Sequence, residues 1–292
     1  VDKDGRFLIV AYNSPSMLTV HPLSEEGLIG AESQQDPALD FDVYSHQVMV
    51  SPSNRTVIMP ARGNDEKDGQ PSDTGALKVY NFEQGKLTLR ASNAPYAGFG
   101  PRHLDFHPNG KWMYLSVERQ NRLQTYALED GALPSSEPLF ECDSLARERA
   151  PDVRQIACAI HVHPNGRFVY QSNRSDDFYT EDGWRLGYTG EDSLAVYAID
   201  QATGEATPIQ HVDLPSIHPR TFSVHPSGRL LVAGTIQPVP IRGEDGGVRV
   251  VPAALMVYRI GEDGRLSLAK TYEMNTQGKI MFWTGMITLP AS

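Results

Sequence analysis

HPNGKWMYLSV, residues 107–117, returns along the chain as HPNGRFVYQSN from His163 and HPSGRLLVAGT from His225. Looser copies are VDKDGRFLIVA from Val1, SPSNRTVIMPA from Ser51 and NTQGKIMFWTG from Asn275. Anchored on the turn residue, the copies fall at Gly5, Asn54, Gly110, Gly166, Gly228 and Gly278, with spacings of 49, 56, 56, 62 and 50 residues. An apolar alternating run enters each turn and a β-branched or aromatic run leaves it, which is the pattern of strand, tight turn, strand. A third strand follows as LTVHPL at Leu18, LKVYNF at Leu77, LQTYAL at Leu123, LAVYAI at Leu194 and LMVYRI at Leu255. Further Gly-containing turns and segments such as IQHVDLP from Ile209 suggest a fourth. Four short antiparallel strands repeated at this interval predict an all-β chain, a β-propeller of four-stranded antiparallel blades. A sandwich would share the alternation but would not repeat the same turn. Six anchors make six blades possible. The first lies at residue 5 with no inner strand before it, so an N-terminal portion is expected to be absent.

The chain has 292 residues, which are expected to form a single propeller domain, 1–292, since large all-β domains reach this length. Its 26 Lys and Arg against 36 Asp and Glu give a formal charge of −10, which argues against nucleic-acid or anionic-membrane partners. No apolar run reaches the roughly 18 residues of a membrane span, and the start at Val1 shows no secretory signal. Two cysteines, Cys142 and Cys158, make neither a disulfide framework nor a metal pattern; a cytoplasmic, reducing location is expected.

Alignment on the turns also aligns the entries to the inner strands. Eight residues before the anchor stand His46, Arg102, Cys158 and Arg220; seven before it stand Gln47, His103, Ala159 and Thr221. The apolar positions six and four before it share the packing face, and His103 and His161 lie on the opposite one. In a propeller, His46, Arg102, His103, His161 and Arg220 would meet at one mouth of the central channel. A single His at a strand start is more often satisfying a carbonyl, but polar and cationic residues at one place in four blades of an acidic protein point to an anion, a carboxylate or phosphate. His107, His163 and His225 belong to the repeated turn and read as structural. His161 and His163 are not read as a metal pair, since no carboxylate or Cys cluster completes a site. Two acidic, Gly-rich stretches, from Arg62 and from Arg174, offer oxygen ligands for Ca²⁺ but lack the EF-hand spacing; they are expected to be solvated insertion loops walling a pocket. No nucleophile elbow, Walker loop or dinucleotide fingerprint is present, which leaves acid–base chemistry by His and Glu beside Arg, with no cofactor and no metal.

Gly100-Pro101-Arg102-His103-Leu104, then Ile160-His161-Val162, Ser172-Asn173-Arg174 and Pro219-Arg220-Thr221-Phe222 in this order resemble the β-propeller lactonase family, which includes propeller-type 6-phosphogluconolactonases and carboxymuconate-lactonizing enzymes. The resemblance spans essentially the whole chain and favours a seven-bladed plan. It implies an enzyme that hydrolyses or forms a lactone ring on a small anionic sugar-acid or dicarboxylic substrate without a cofactor. His103, Glu118, His161 and Arg220 are the implied catalytic positions, with His46, Arg102 and Arg174 as substrate-binding candidates. Arg220 and Arg102 would hold the substrate's anion. His103 would be the general base on water, oriented by His161 and Glu118. Two positions depart from the family pattern: Ala159 stands where members carry Glu, and Val117 where they carry Asn. The alternative is a non-catalytic propeller that binds a ligand or protein at its channel face; a metal-dependent lactonase is a weaker third reading.

Overall fold

The computed structural model describes residues 1–147 and 153–288. It divides into two compact units, Val1–Gln120 with Gln124–Glu141, and Asn121–Leu123 with Cys142–Ser292. All regular structure among the described residues is β-strand, and no helix is long and apolar enough to cross a membrane.

The first unit opens with a two-stranded hairpin, β1 (Phe7–Asn13) and β2 (Ser16–Pro22). A four-stranded antiparallel blade follows, β3 (Met49–Val50), β4 (Thr56–Ala61), β5 (Ala76–Glu83) and β6 (Lys86–Asn93), paired in chain order. The next blade runs β7 (Pro101–Phe106), β8 (Trp112–Val117) and β9 (Arg122–Glu129); its fourth position is shared by β10 (Leu133–Pro134) and β11 (Phe140–Asp143), both paired with β9. In the second unit, β12 (Gln155–Val162) and β13 (Phe168–Ser175) are followed by an inserted hairpin, β14 (Phe178–Glu181) and β15 (Trp184–Gly187). The blade resumes with β16 (Ser193–Ile199) and β17 (Ala206–Asp213). The last blade repeats the plan: β18 (Pro219–Val224), β19 (Leu230–Thr235), the inserted hairpin β20 (Val239–Arg242) and β21 (Val248–Val251), then β22 (Ala253–Ile260) and β23 (Leu266–Met274).

The repeated turn explains the blades. His107 accepts a hydrogen bond from the Gly110 amide at 2.9 Å and its own amide donates to Trp112 at 2.9 Å, closing a turn with Pro at its second position. Gly110 takes a positive φ of 71°, Gly166 and Gly228 take 72° and 68°, and Asn54 takes 60°. The histidines at these turns are structural, as expected: Nδ1 of His107, His163 and His225 accepts the amide two residues on, at 3.1 to 3.2 Å. His163 also reaches the Gly228 carbonyl at 2.8 Å through Nε2, fastening one blade to the turn of the next. The Tyr of the third strand, Tyr80, Tyr126, Tyr197 and Tyr258, is fully buried in every blade.

The copy at Asn275 differs from expectation. Its turn forms, with Gly278 at φ 72° and the Lys279 amide on the Thr276 carbonyl at 2.9 Å, but residues 275–288 make no strand. β23 already completes the blade, and the segment's bonds go instead to the Ile236 carbonyl, from Met281 at 2.8 Å, and to the Thr221 hydroxyl, from the Thr284 amide at 3.2 Å.

One irregularity is shared by all four full blades: the pairing of first and second strands slips by one residue near the strand entry. Pro101 faces Val117 but His103 faces Ser116; Pro219 faces Thr235 but Thr221 faces Gly234. Ala157 faces Asn173 but Ile160 faces Gln171, and Ser45 faces Ala61 but Met49 faces Ile58. Such bulges re-aim a side chain out of the strand's alternation.

Candidate functional site

In a regular strand Arg102 and His103 would point to opposite faces. At the bulge they meet, and Arg102 Nη1 donates to His103 Nδ1 at 2.9 Å. Gly100 makes the entry possible. It sits at φ 57°, and a Cβ there would lie 2.8 Å from the Arg119 side chain. A guanidinium has donors only, so His103 Nδ1 is the acceptor and the neutral ring carries its proton on Nε2. Arg102, only 1% exposed, also forms an ion pair with Glu118, its Nε lying 2.8 Å from Oε2. The other oxygen of Glu118 takes Arg62 Nε at 2.9 Å. Burial works against the charge of Arg62, but Glu118 and Asp65 outweigh it and hold the guanidinium above the usual arginine range. Arg62 lies 5.2 Å over the Tyr44 ring, which stacks on His46, whose ring in turn meets His103 edge-on at 4.7 Å. Two buried guanidiniums thus share one buried carboxylate beside an imidazole N–H. An array dominated by donors suits a bound anion or an oxygen on which negative charge develops.

The loop from Arg62 is held by arginine. Arg119 binds Asp65 at 2.9 Å and the Gly63 carbonyl at 2.9 Å.

The second unit holds a different cluster. Arg174 donates Nε to the buried Cys158 thiol sulfur at 2.6 Å, bonds His218 Nε2 through Nη1, and lies 3.5 Å from Asp176. By the same donor argument His218 keeps its proton on Nδ1. His218 is a non-glycine residue at φ 68°, and its amide is fixed by Asp192 Oδ1 at 2.8 Å. Such left-handed residues persist only where their surroundings over-determine them. Asp192 also accepts from Ser175 Oγ at 3.2 Å; burial nonetheless pushes its carboxyl up to about 6, against these bonds and Arg174. The stretch from Arg174, expected as a loop, is in part the hairpin β14–β15, turned by Asp182-Gly183. It is joined to β20–β21 by Arg242, whose Nε donates to Glu181 at 3.0 Å. Val239, Ile241 and Val251 of the second hairpin form a small core with Phe178 and Ile217. The two hairpins therefore make an apolar wall beside His218.

A family model described as "Lactonase, 7-bladed beta-propeller" matches residues 1–237, a stretch that contains both clusters. The chain belongs to this lactonase family. A 6-phosphogluconolactonase of Pectobacterium carotovorum subsp. carotovorum is 31% identical over 248 residues, covering 79% of this chain and 70% of the relative. One from Bacillus subtilis is 27% identical over 246 residues, covering 80% of this chain and 61% of the relative. Among solved structures, a periplasmic gluconolactonase of Pseudomonas aeruginosa superposes with a TM-score of 0.68 at 22% identity, over 96% of this chain and 70% of its own. A Lactobacillus plantarum protein gives 0.69 at 20%, over 93% and 69%. These two share the propeller fold.

Of the residues expected in this lactonase, His46, Arg102, His103 and Glu118 come together in the first unit. Arg174 anchors the second cluster. His161 instead lies edge-on to Phe222, 5.0 Å between centroids, and half-buried Arg220, itself the bulge residue of β18, stacks on Phe282 with 4.1 Å from guanidinium carbon to ring centroid. Ala159 is buried in the apolar cluster of Phe168, Tyr170 and Leu194. Sequence reasoning placed Arg62 only on a loop wall and missed Tyr44, Asp192 and His218. A signal for one of them existed: Arg62, Glu118 and Arg174 all stand eight residues after their anchors, opposite the column that was aligned. His218 and Asp192 lie in connections between strands, where the repeat has no column to offer.

Proposed function

We propose that the protein hydrolyses the lactone ring of a small anionic sugar acid, of the aldonolactone class on which its named relatives act, with the first-unit cluster as the reacting centre. The observation that carries this reading is the bond from Arg102 to His103 Nδ1, which leaves Nε2–H as a fixed donor. A δ-lactone is an activated ester; polarising its carbonyl and holding the negative charge of the tetrahedral intermediate is the contribution such a donor makes. His103 is thus an electrophile rather than the general base of the sequence reading, because a base at Nε2 would need a proton at Nδ1, where Arg102 already donates. Glu118, with each oxygen engaged by a guanidinium, orients Arg102 and Arg62 and carries no proton. Arg220 and Arg174 belong to the second unit and are given no part at this centre. A reducing compartment suits the two free thiols, Cys142 and Cys158.

The test is a pH-stat assay on phosphorylated and neutral aldono-1,5-lactones with wild type, His103→Ala and His103→Gln. The amide of Gln supplies a donor but no base, so Gln should retain a measurable part of the activity that Ala loses. Equal loss in both variants excludes the donor role, and undiminished hydrolysis by His103→Ala excludes the site. Burial of Ala159 among apolar side chains, with no carboxylate at that position, favours a second reading, ligand binding without turnover. Calorimetric binding of the open acid by a protein inert toward every lactone would support it.

A further inference from the structure

Ten non-glycine residues have a positive φ among the described residues; six of them are Asp or Asn, the types that tolerate it best, and one is Tyr44, at 61°. A bulky ring on a left-handed backbone is an outlier, and the chain around Tyr44 enforces it. Its amide donates to Ser16 Oγ, its carbonyl accepts the Arg62 amide at 2.9 Å, and the Val43 carbonyl accepts the Gly63 amide at 2.9 Å. Just upstream, the buried Lys78 pairs with Asp40 at 2.8 Å and with Asp42 at 3.3 Å, and Tyr80 donates its hydroxyl to the Asp40 carbonyl at 2.6 Å. These bonds do not bury the ring, since Tyr44 is only half-buried. What they deliver is its placement. Arg62 lies 5.2 Å over the ring, and His46 stacks on it with 5.9 Å between centroids and 28° between planes. His46 then meets His103 edge-on at 4.7 Å. All of these residues belong to the first unit.

Strained residues cluster at working sites, where the surroundings hold them against their own preference. The bond from Arg102 fixes one atom of the His103 ring, Nδ1, and the contact with His46 bears on its plane. Both are needed to set the direction of Nε2, because a reacting group keeps its geometry only when packing locks the rotamer that its hydrogen bonds orient. We propose that Tyr44 is a positioning residue for the reaction: its left-handed backbone holds the ring that holds His46, and through His46 the plane of His103. The conformation lowers stability and is kept for the alignment it gives. The inference rests on the reading of His103 as the donor to the lactone carbonyl. Such a donor acts as charge develops on the oxygen, so misalignment belongs in kcat and not in KM.

The experiment measures kcat, KM and Tm for wild type, Tyr44→Phe, Tyr44→Ala, Tyr44→Gly and His103→Ala on glucono-1,5-lactone and its 6-phosphate. Tyr44→Phe keeps the ring and should stay within about twofold of wild type. Tyr44→Ala and Tyr44→Gly both lose it, and kcat should fall roughly tenfold in each, less than for outright loss of the donor, with KM changed less than twofold. Glycine alone relieves the backbone, so Tyr44→Gly should melt about 2 °C or more above Tyr44→Ala while gaining no activity over it. If kcat recovers along with Tm in Tyr44→Gly, or if Tyr44→Phe is as poor as Tyr44→Ala, Tyr44 is a packing residue or acts through its hydroxyl, and the proposal is overturned. A Tyr44→Gly that melts no higher than Tyr44→Ala would show that the conformation costs nothing and would overturn it as well. Undiminished kcat in Tyr44→Ala beside a large loss in His103→Ala sinks the inference and leaves the reading of His103 standing. A wild type inert toward both lactones, or a fully active His103→Ala, brings down that reading and the inference with it.

Discussion

The blade that carries Arg102 and the blade that carries Cys158 are built on one plan and filled with opposite chemistry. Eight residues before the turn stands Arg102 in one and Cys158 in the other; eight after it stand Glu118 and Arg174. Both pairs sit beside a one-residue slip of the ladder, and both make a contact under 3 Å, Arg102 Nε to Glu118 and Arg174 Nε to Cys158. In the first, two guanidiniums flank a carboxylate, and one of them, Arg102, bonds a histidine's Nδ1. In the second, one guanidinium is shared by a thiol, a histidine and Asp176. The repeat therefore supplies a socket, and the residues in the two columns decide its chemistry.

The largest effect expected from disturbing the comparison is at Glu118. Removing it takes the shared carboxylate from two buried guanidiniums, and the loss of one partner of a buried ion pair typically costs about 3–5 kcal/mol. Glu118→Ala should show a correspondingly lower midpoint in urea, with Asp65 left to Arg62 and His103 to Arg102. A variant as stable as wild type would mean that solvent already reaches the pair.

Next in size is catalysis at His103. Loss of one donor to a developing oxyanion costs roughly 10²–10³ in kcat, and His103→Ala should fall in that range with an unchanged circular dichroism spectrum. The same substitution at His218 sharpens the comparison. If the second cluster is not the reacting centre, His218→Ala should reduce kcat by less than about tenfold on this scale. A larger loss would move the chemistry to the second unit.

How much of this was readable beforehand follows from what a repeat can display. The blades were legible because the His-Pro-x-Gly turn demands a left-handed residue at a fixed place, and the residue types there, Gly110, Gly166, Gly228 and Asn54, are those that tolerate it. Arg102 and His103 were legible as neighbours at a strand entry. Their meeting on one side was not, because alternation separates adjacent residues and only a bulge reunites them. The hairpin β14–β15 reads as a loop in the sequence because its acidic residues mask the Tyr179–Leu186 pair on one face, across the turn at Asp182-Gly183. The strand expected after Gly278 failed for the opposite reason: the local pattern was present, but the blade it would join was already complete.

Asp192 supplies a pH-dependent contrast between the clusters. Its folded-state value, about 6, lies above the ordinary 3.8, so the native protein binds this proton more tightly than the unfolded chain. Stability from this group is then greatest below about pH 4, falls as pH rises toward 6 and is level above it, a swing of roughly 3 kcal/mol by linkage. Asp192→Asn keeps an acceptor for the His218 amide but cannot ionise. The difference in Tm between wild type and variant should therefore shift between pH 4 and pH 7, in the direction that favours the variant at the higher pH. A difference independent of pH would show that Asp192 is ionised throughout.

The smallest effect is expected at Cys158, and it tests whether the second socket depends on sulfur at all. The thiol is fully buried, and its sulfur accepts from Arg174 Nε at 2.6 Å. Serine offers an oxygen of similar reach that accepts the same N–H, so Cys158→Ser should stay within about 0.5 kcal/mol of wild type, as a replaced but satisfied hydrogen bond does. Alanine leaves the guanidinium short of an acceptor in a buried place, and about 1–3 kcal/mol should be lost. Urea melts of the two variants separate these outcomes. If serine proves as damaging as alanine, the sulfur is chosen for its size and polarisability within the blade core. If alanine proves harmless, Arg174 is held by His218 and Asp176 alone, and the resemblance between the two sockets ends at the backbone.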